Sequence, residues 1–285
     1  MGREPIVNPR LKRWFADWVP PHLRRLLRGT TADNAVRYSG DFRTWDEARR
    51  HSLGYDGPAI VERVKEATLK VQRGEAAYER DSVLFERVEH SYPLLAGLLR
   101  AALANGGRLN VVDIGGSLGS TFFQCRPLLE GAASLRWSVV EQPIFAACGR
   151  RYFEGEQLHF FDDLQACLAT ESPDIALLSS VLPYVETPHA LLETVAQAVP
   201  RVLIDRTPLW SALPDRLTVQ SVPASIYGFP TSYPAWILNR ERLLDHFSRG
   251  YRIVFEFDAL AGRIDVDGTP AKDTGFLLEH SLSSS

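Results

Sequence analysis

Apolar residues in the second half of the chain fall into short runs that each stop at a polar or acidic residue. Val111 and Val112 lead into Asp113, Leu135–Val140 is closed by Glu141, and Leu158–Phe161 ends at Asp162 and Asp163. Asp174–Ser180 is apolar in its middle and polar at its exit, and Val202–Ile204 ends at Asp205 and Arg206. Short continuous runs of this kind read as strands buried on both faces of a parallel sheet. Arg252–Phe257 and Gly275–Glu279, placed around a turn at Asp267-Gly268, read as a terminal antiparallel hairpin. The expected fold class is α/β, with the sheet over residues 106–280 and a flexible tail at 281–285.

Before the sheet the pattern is helical. Leu11, Trp14, Phe15, Trp18 and Val19 recur at i, i+3, i+4, i+7 and i+8, Pro20 and Pro21 interrupt, and Leu23, Leu26 and Leu27 resume the apolar face. Thr44 and Glu47 have capping-box spacing. Asp56 and Pro58 mark a helix start, and Ile60, Val61, Val64, Ala67 and Val71 hold one face until Gly74. Another helical pattern begins near Asp81 with Val83, Leu84, Phe85 and Val88, Pro93 breaks it, and Leu94–Leu103 forms the last helix. Residues 1–105 therefore read as a helical extension that either lids the site or serves as packing and dimer surface. Beyond the fifth strand, Thr207–Trp236 reads as a long ordered loop before an Asn239–Phe247 helix. It carries Trp210, Tyr227, Phe229, Tyr233, Trp236 and five prolines.

Asp113 is followed by Gly115, Gly116 and Gly119. A charge and three glycines at a strand exit make poor core material, but they suit a turn that brings backbone close to a ligand. Ser120–Leu129 then forms a helix whose N-terminal amides face the same crevice. The dinucleotide pattern Gly-x-Gly-x-x-Gly fails, because Ser117 and Ser120 stand where glycines belong, and no Gly-Lys-Ser/Thr follows for a phosphate loop. Asp113, Gly115 and Gly119 match every fixed place of the Asp/Glu-x-Gly-x-x-x-Gly turn of class I S-adenosylmethionine methyltransferases. Glu141 falls about twenty residues past the turn, where an acidic residue reads a ribose. Asp162 and Asp163 have two open readings, contact with an adenine amino group beside Phe161 or an N-cap. Asp205 and Arg206 either line the pocket or form a salt-bridged strand end.

Trp45-x-x-Ala48, Ser52-Leu-Gly-Tyr-Asp56, Tyr78-Glu79-Arg80-Asp81-Ser82 and Asp113-Ile-Gly-Gly-Ser-Leu-Gly-Ser120 together resemble a family of S-adenosylmethionine-dependent methyltransferases of unsettled substrate. That family is often associated with bacterial surface-polysaccharide biosynthesis. The resemblance runs from Tyr38 to His280 and implies a Rossmann-like class I methyltransferase sheet with a terminal antiparallel hairpin. It implies S-adenosylmethionine as cofactor, on Asp113, Gly115, Gly116, Ser117, Gly119, Glu141, Phe161, Asp162, Ser179 and Ser180. Tyr184 and Tyr233 are the expected contacts to a small-molecule or saccharide acceptor. Tyr184, His189, Asp205, Tyr233 and His246 are unranked candidates for a base, and none is chosen. The alternative function is a catalytically silent Rossmann-like scaffold in polysaccharide biosynthesis.

Composition narrows the partners. The chain has 285 residues, 45% of them apolar and 24% charged, and a net charge of −3, which argues against a nucleic-acid binder. Its three cysteines are odd in number and lack a Cys-x-x-Cys pair, so they read as buried apolar residues and suggest neither a metal site nor a disulfide frame. No apolar run reaches spanning length and no signal sequence is visible, which makes the cytoplasm the default. Residues 10–28 are basic and carry Trp14 and Trp18 on one helical face. Docking on the chain itself, a partner or a second copy is preferred there over a peripheral contact with the inner membrane.

Overall fold

The computed structural model describes residues 36–54, 57–80, 82–224 and 229–281. The expectations for residues 1–35, including the helices over 10–28, and those for Tyr227 and the tail beyond 281 lie outside the described residues. The elements in chain order are β1 (Arg37–Phe42), α1 (Trp45–Arg50), α2 (Gly57–Gln72), β2 (Tyr78–Arg80), β3 (Val83–Phe85), α3 (Tyr92–Ala104) and β4 (Arg108–Ile114). Then come α4 (Ser120–Leu129), β5 (Ser134–Val140), α5 (Pro143–Tyr152), β6 (Leu158–Phe161), α6 (Leu164–Thr170), β7 (Ile175–Ser179), a 3-10 turn (Leu182–Tyr184) and α7 (Pro188–Ala198). The chain continues with β8 (Arg201–Trp210), β9 (Arg216–Val222), β10 (Thr231–Asn239), α8 (Arg240–Asp245), β11 (Tyr251–Val266) and β12 (Thr269–His280).

The apolar runs that end in acids become parallel strands in the order β6-β5-β4-β7-β8. β12 then enters antiparallel between β8 and β11. This is the class I methyltransferase sheet with its terminal hairpin, as expected. The strand order reverses between β4 and β7, and ligands of open α/β sheets sit beyond the strand tips at such a point. Leu98, Phe122, Trp137, Leu203 and Leu277 fill one face beneath α2–α5. Leu178, Leu192, Val202, Ile204 and Phe276 fill the other beneath α6–α8.

Two expectations are corrected. Val83–Phe85 pairs with Tyr78–Arg80 as an antiparallel hairpin, so the helical pattern near Asp81 is a strand; an apolar run this short carries no period of its own. Thr207–Trp236 is mostly strand. β8 runs on to Trp210, and β9 and β10 occupy much of the expected loop. Aromatic and β-branched residues there outweigh the prolines, two of which, Pro208 and Pro234, sit inside strands.

The added strands close a ring. β8 pairs with β10, β10 with β9, β9 with β1, β1 with β11, β11 with β12, and β12 returns to β8. Trp210, Ile237, Val266 and Ala271 pack inside it with Tyr38 and Ile264. Helix α1 covers the outside, placing Ala48 against Leu217 and Val219 beside Trp45 and Trp236. Thr44 caps α1 by accepting from Glu47 N at 3.2 Å, as its spacing predicts. Ring and parallel sheet share β8. At their junction Thr207 faces Thr274 and Ile204 faces Phe276, which leaves Asp205 and Arg206 opposite Gly275 alone. That is a β-bulge, and Arg206 takes a left-handed φ of +53° within it.

Candidate functional site

β4 ends in Asp113-Ile114 and the chain turns at once at Gly115. Gly115 has φ +73°, and a Cβ there would lie 2.7 Å from Val181 Cγ2. At Gly116 a Cβ would lie 2.6 Å from both Cγ and Oδ2 of Asp113, so the turn folds directly over the carboxyl. Only glycine allows that approach. Gly119 then caps α4. Asp113 is consequently buried, 1% exposed, and accepts a hydrogen bond from Trp137 Nε1 at 3.0 Å. Burial pushes its pKa up to about 7, against the Trp137 bond and the nearby Arg206. The resemblance makes Asp113 a cofactor contact, and the structure places its carboxyl beneath the glycine turn that it braces.

Glu141 stands at the tip of β5, the neighbour of β4. Its Oε2 accepts from Gln142 N at 2.7 Å, and the backbone N–H of Ser117 bonds the same carboxylate. Burial raises its pKa as well. The two acidic strand tips therefore meet on one side of the molecule, around one turn, where Ser117 itself has φ +55°. Phe161 is half-buried at the end of β6. Asp163 takes the N-cap role, accepting from Ala166 N at 2.8 Å, while the exposed Asp162 pairs with Arg150 at 2.9 Å.

Across the switch point, Ser179 donates to Asp205 Oδ2 at 2.9 Å and accepts from Arg206 Nε at 3.2 Å. Ser180, at φ +60°, donates its N–H to Asp205 O at 2.9 Å. Asp205 is buried and lies 3.5 Å from Arg206 Nε, so both readings of this pair hold at once. Ser179, Asp205 and Arg206 line a cavity of about 250 Å³ together with Tyr78, Arg80 and Thr121. Tyr184 and Tyr233 come together as expected, edge to face, with ring centroids 5.4 Å apart.

Sequence reasoning missed Glu79. It is buried, accepts from the Ser120 hydroxyl at the first turn of α4 and from Ser82 N at 3.3 Å, and so ties the β2–β3 hairpin to the glycine turn. Its only signal was its place in the Tyr78–Ser82 motif. Tyr38 and Asp273 were missed too. Burial and its hydrogen bond to Tyr184 raise the Tyr38 phenol, and burial pushes Asp273 up to about 6. Two candidate bases go elsewhere: His189 bonds His246 at 2.8 Å and Asp215 at 2.7 Å, a chain that ties α7 to the start of β9 and the end of α8.

Among the described residues no cluster of His, Cys, Asp or Glu is arranged to hold a metal, and no helix is long and apolar enough to cross a membrane. The acids fit a cationic ligand better than an anionic one. Desolvation by burial raises Asp113, Glu141 and Asp273, and the positive charge of Arg206 offsets it only in part at Asp113 and Asp273.

No family model matches the chain, and no curated protein matches it. Among solved structures it is similar to a magnesium protoporphyrin IX methyltransferase of Synechocystis PCC 6803 with bound SAH. The identity there is 16% over 66% of this chain and 83% of that one, with a TM-score of 0.41. It is similar to an amino pentose methyltransferase of Micromonospora echinaspora at 13% identity, over 68% and 92% of the two chains, with a TM-score of 0.43. A third likeness is to the N-terminal domain of EvdMO1 in the presence of SAH and D-fucose, at 15% identity, over 80% and 97%, with a TM-score of 0.42. At these scores the likenesses carry no functional argument, which rests on the chain's own residues.

Proposed function

We propose that this protein is an S-adenosylmethionine-dependent methyltransferase acting on a small-molecule or saccharide acceptor. One observation carries the reading: Asp113 and Glu141, at adjacent parallel strand tips, converge on a single glycine turn beside the switch point of the sheet. In this reading Glu141 exchanges its bond to Ser117 N–H for the ribose hydroxyls, since a carboxylate offers two acceptor oxygens. Asp113 holds the turn and contributes negative charge beneath the ligand. The peptide groups of Gly115–Gly119 let the nucleoside approach, and Ser179 and Ser180 border its amino-acid end. The cofactor, when bound, supplies an electrophilic methyl group on a sulfonium.

The chain's remaining work is to align an acceptor atom with that methyl group and exclude water, the main demands of an in-line displacement. Tyr184 and Tyr233 stand beyond the tip of β7 and serve as acceptor contacts. Isothermal calorimetry with S-adenosylmethionine and S-adenosylhomocysteine tests the proposal. Saturable heat that Glu141→Ala strongly weakens is the expected result, and no heat with either ligand sinks the idea. Binding without methyl transfer from labelled cofactor to any of a broad acceptor panel favours the scaffold reading instead.

A further inference from the structure

We propose that the inner rim of the strand ring, centred on Gln220, is the acceptor subsite and takes a ring-shaped, hydroxyl-bearing molecule of the monosaccharide class. This rests on the methyl-transfer reading for its purpose but on separate residues for its evidence. Gln220 of β9 stands opposite Tyr38 of β1 on one side and Tyr233 of β10 on the other. Paired residues point to the same face of a sheet, so the three side chains form one row. Tyr38 packs against the cluster inside the ring, which fixes that face as the inner one. Tyr184, arriving from the turn after β7, packs on Tyr233 and hydrogen-bonds Tyr38. The row thereby stands next to the strand tips where the methyl group must be delivered.

Gln220 is 6% exposed, and its Oε1 has no hydrogen-bond partner among the described residues. A buried amide oxygen without a donor destabilises a protein, and native structures rarely keep one without a reason. An apolar ligand would leave it unpaired, and a flat aromatic ligand would satisfy the tyrosine faces but not the oxygen. A hydroxylated ring answers both: its C–H face packs on a tyrosine while a hydroxyl donates to Gln220. Asp273 offers a second acceptor. It is buried, one oxygen takes the Ala261 N–H at 2.8 Å, and it lies close enough to Tyr38 to perturb it.

The test uses the full chain saturated with S-adenosylhomocysteine, whose binding is checked by calorimetry in the same samples. Four methyl hexopyranosides of gluco, galacto, manno and fuco configuration are titrated and followed by ligand-observed NMR, with tetrahydropyran as the same ring lacking any hydroxyl donor. At least one glycoside binds, tetrahydropyran does not, and Gln220→Leu weakens the glycoside about three- to tenfold, the worth of one neutral hydrogen bond. In the same variant the urea midpoint holds or rises, because an unpaired oxygen has left the interior. Should that variant fail to fold, Gln220→Met reads out the same loss at nearly the same length. The subsite is overturned if no glycoside binds, if tetrahydropyran binds as tightly, if affinity ignores the substitution, or if the midpoint falls in both variants. Glycoside binding without cofactor heat would leave the subsite standing and remove the methyl-transfer reading.

Discussion

Asp113 makes the sharpest prediction, because a carboxyl raised by burial must leave a mark on stability as pH changes. Its ordinary value of 3.8 becomes about 7 in the folded chain. Between those values the folded protein holds a proton that the unfolded chain has released, so the associated stability is full below 3.8 and is lost as pH rises through 7. With those two values, wild-type protein loses about 2–3 kcal/mol from this group between pH 5 and pH 8. Asp113→Asn is nearly the same shape and does not titrate. Its stability relative to wild type should therefore climb by about 2–3 kcal/mol over that interval. Urea unfolding of both proteins at both pH values measures it, and every unperturbed group cancels in the difference. A relative stability that stays constant within about 0.5 kcal/mol would refute the reasoning, as would one that moves the other way.

Glu141→Gln keeps the side chain's shape and removes its charge. It should weaken S-adenosylhomocysteine about 10- to 100-fold by calorimetry with little change in melting temperature, and unchanged affinity would remove Glu141 from the site. Gly116→Ala forces a methyl group onto the Asp113 carboxyl, so a loss of about 1–3 kcal/mol together with the cofactor heat is expected. Gly131→Ala, where the space is open, is the control, and equal urea midpoints for the two variants would contradict the close approach. Burial and then His189 hold His246 below its ordinary 6.5, so stability from His246 is present above 6.5 and falls away as pH drops further. His246→Asn should flatten that acid limb in thermal melts from pH 5 to pH 7, and an unchanged slope would show that His246 is not its source.

Much of the parallel sheet was legible because each buried strand announces its end with an acid or, at Ser179-Ser180, with serines. Asp113 and Glu141 mark the tips of two paired strands, and Asp205 stands at the same end of the sheet on the far side of β7. The ring was not legible as a whole, although one part of it was. Leu217 and Val219 alternate with Arg216, Thr218 and Gln220, a period of two that prolines on either side of the segment concealed. What no local pattern reveals is closure. Leu238 and Asn239 lie parallel to Leu209 and Trp210, and β1 joins β9 across some 180 residues of chain. Such pairings are settled by burial of the inner cluster, which is a property of the assembled strands. The direction of Asp113 was also hidden. A strand exit usually opens on solvent, and only the side-chain-free Gly116 lets the turn close over it.

Arg206 explains why the two parts of the fold meet as they do. An arginine at φ +53° inside a strand holds a backbone conformation that costs about 1 kcal/mol or more, and the sheet around it must sustain that cost. The bulge that imposes it lets β8 leave the parallel sheet and continue as the ring wall, so the parallel sheet and the ring share one strand. It also brings a guanidinium within hydrogen-bond range of Ser179, beside Asp205, where it lowers Asp113 and Asp273. One cation among three buried acids leaves a surplus of negative charge at the strand tips. A sulfonium ligand would relieve that surplus and a nicotinamide diphosphate would aggravate it. The charge arrangement thus favours the same cofactor as the glycine turn, by an argument that does not depend on the turn's spacing.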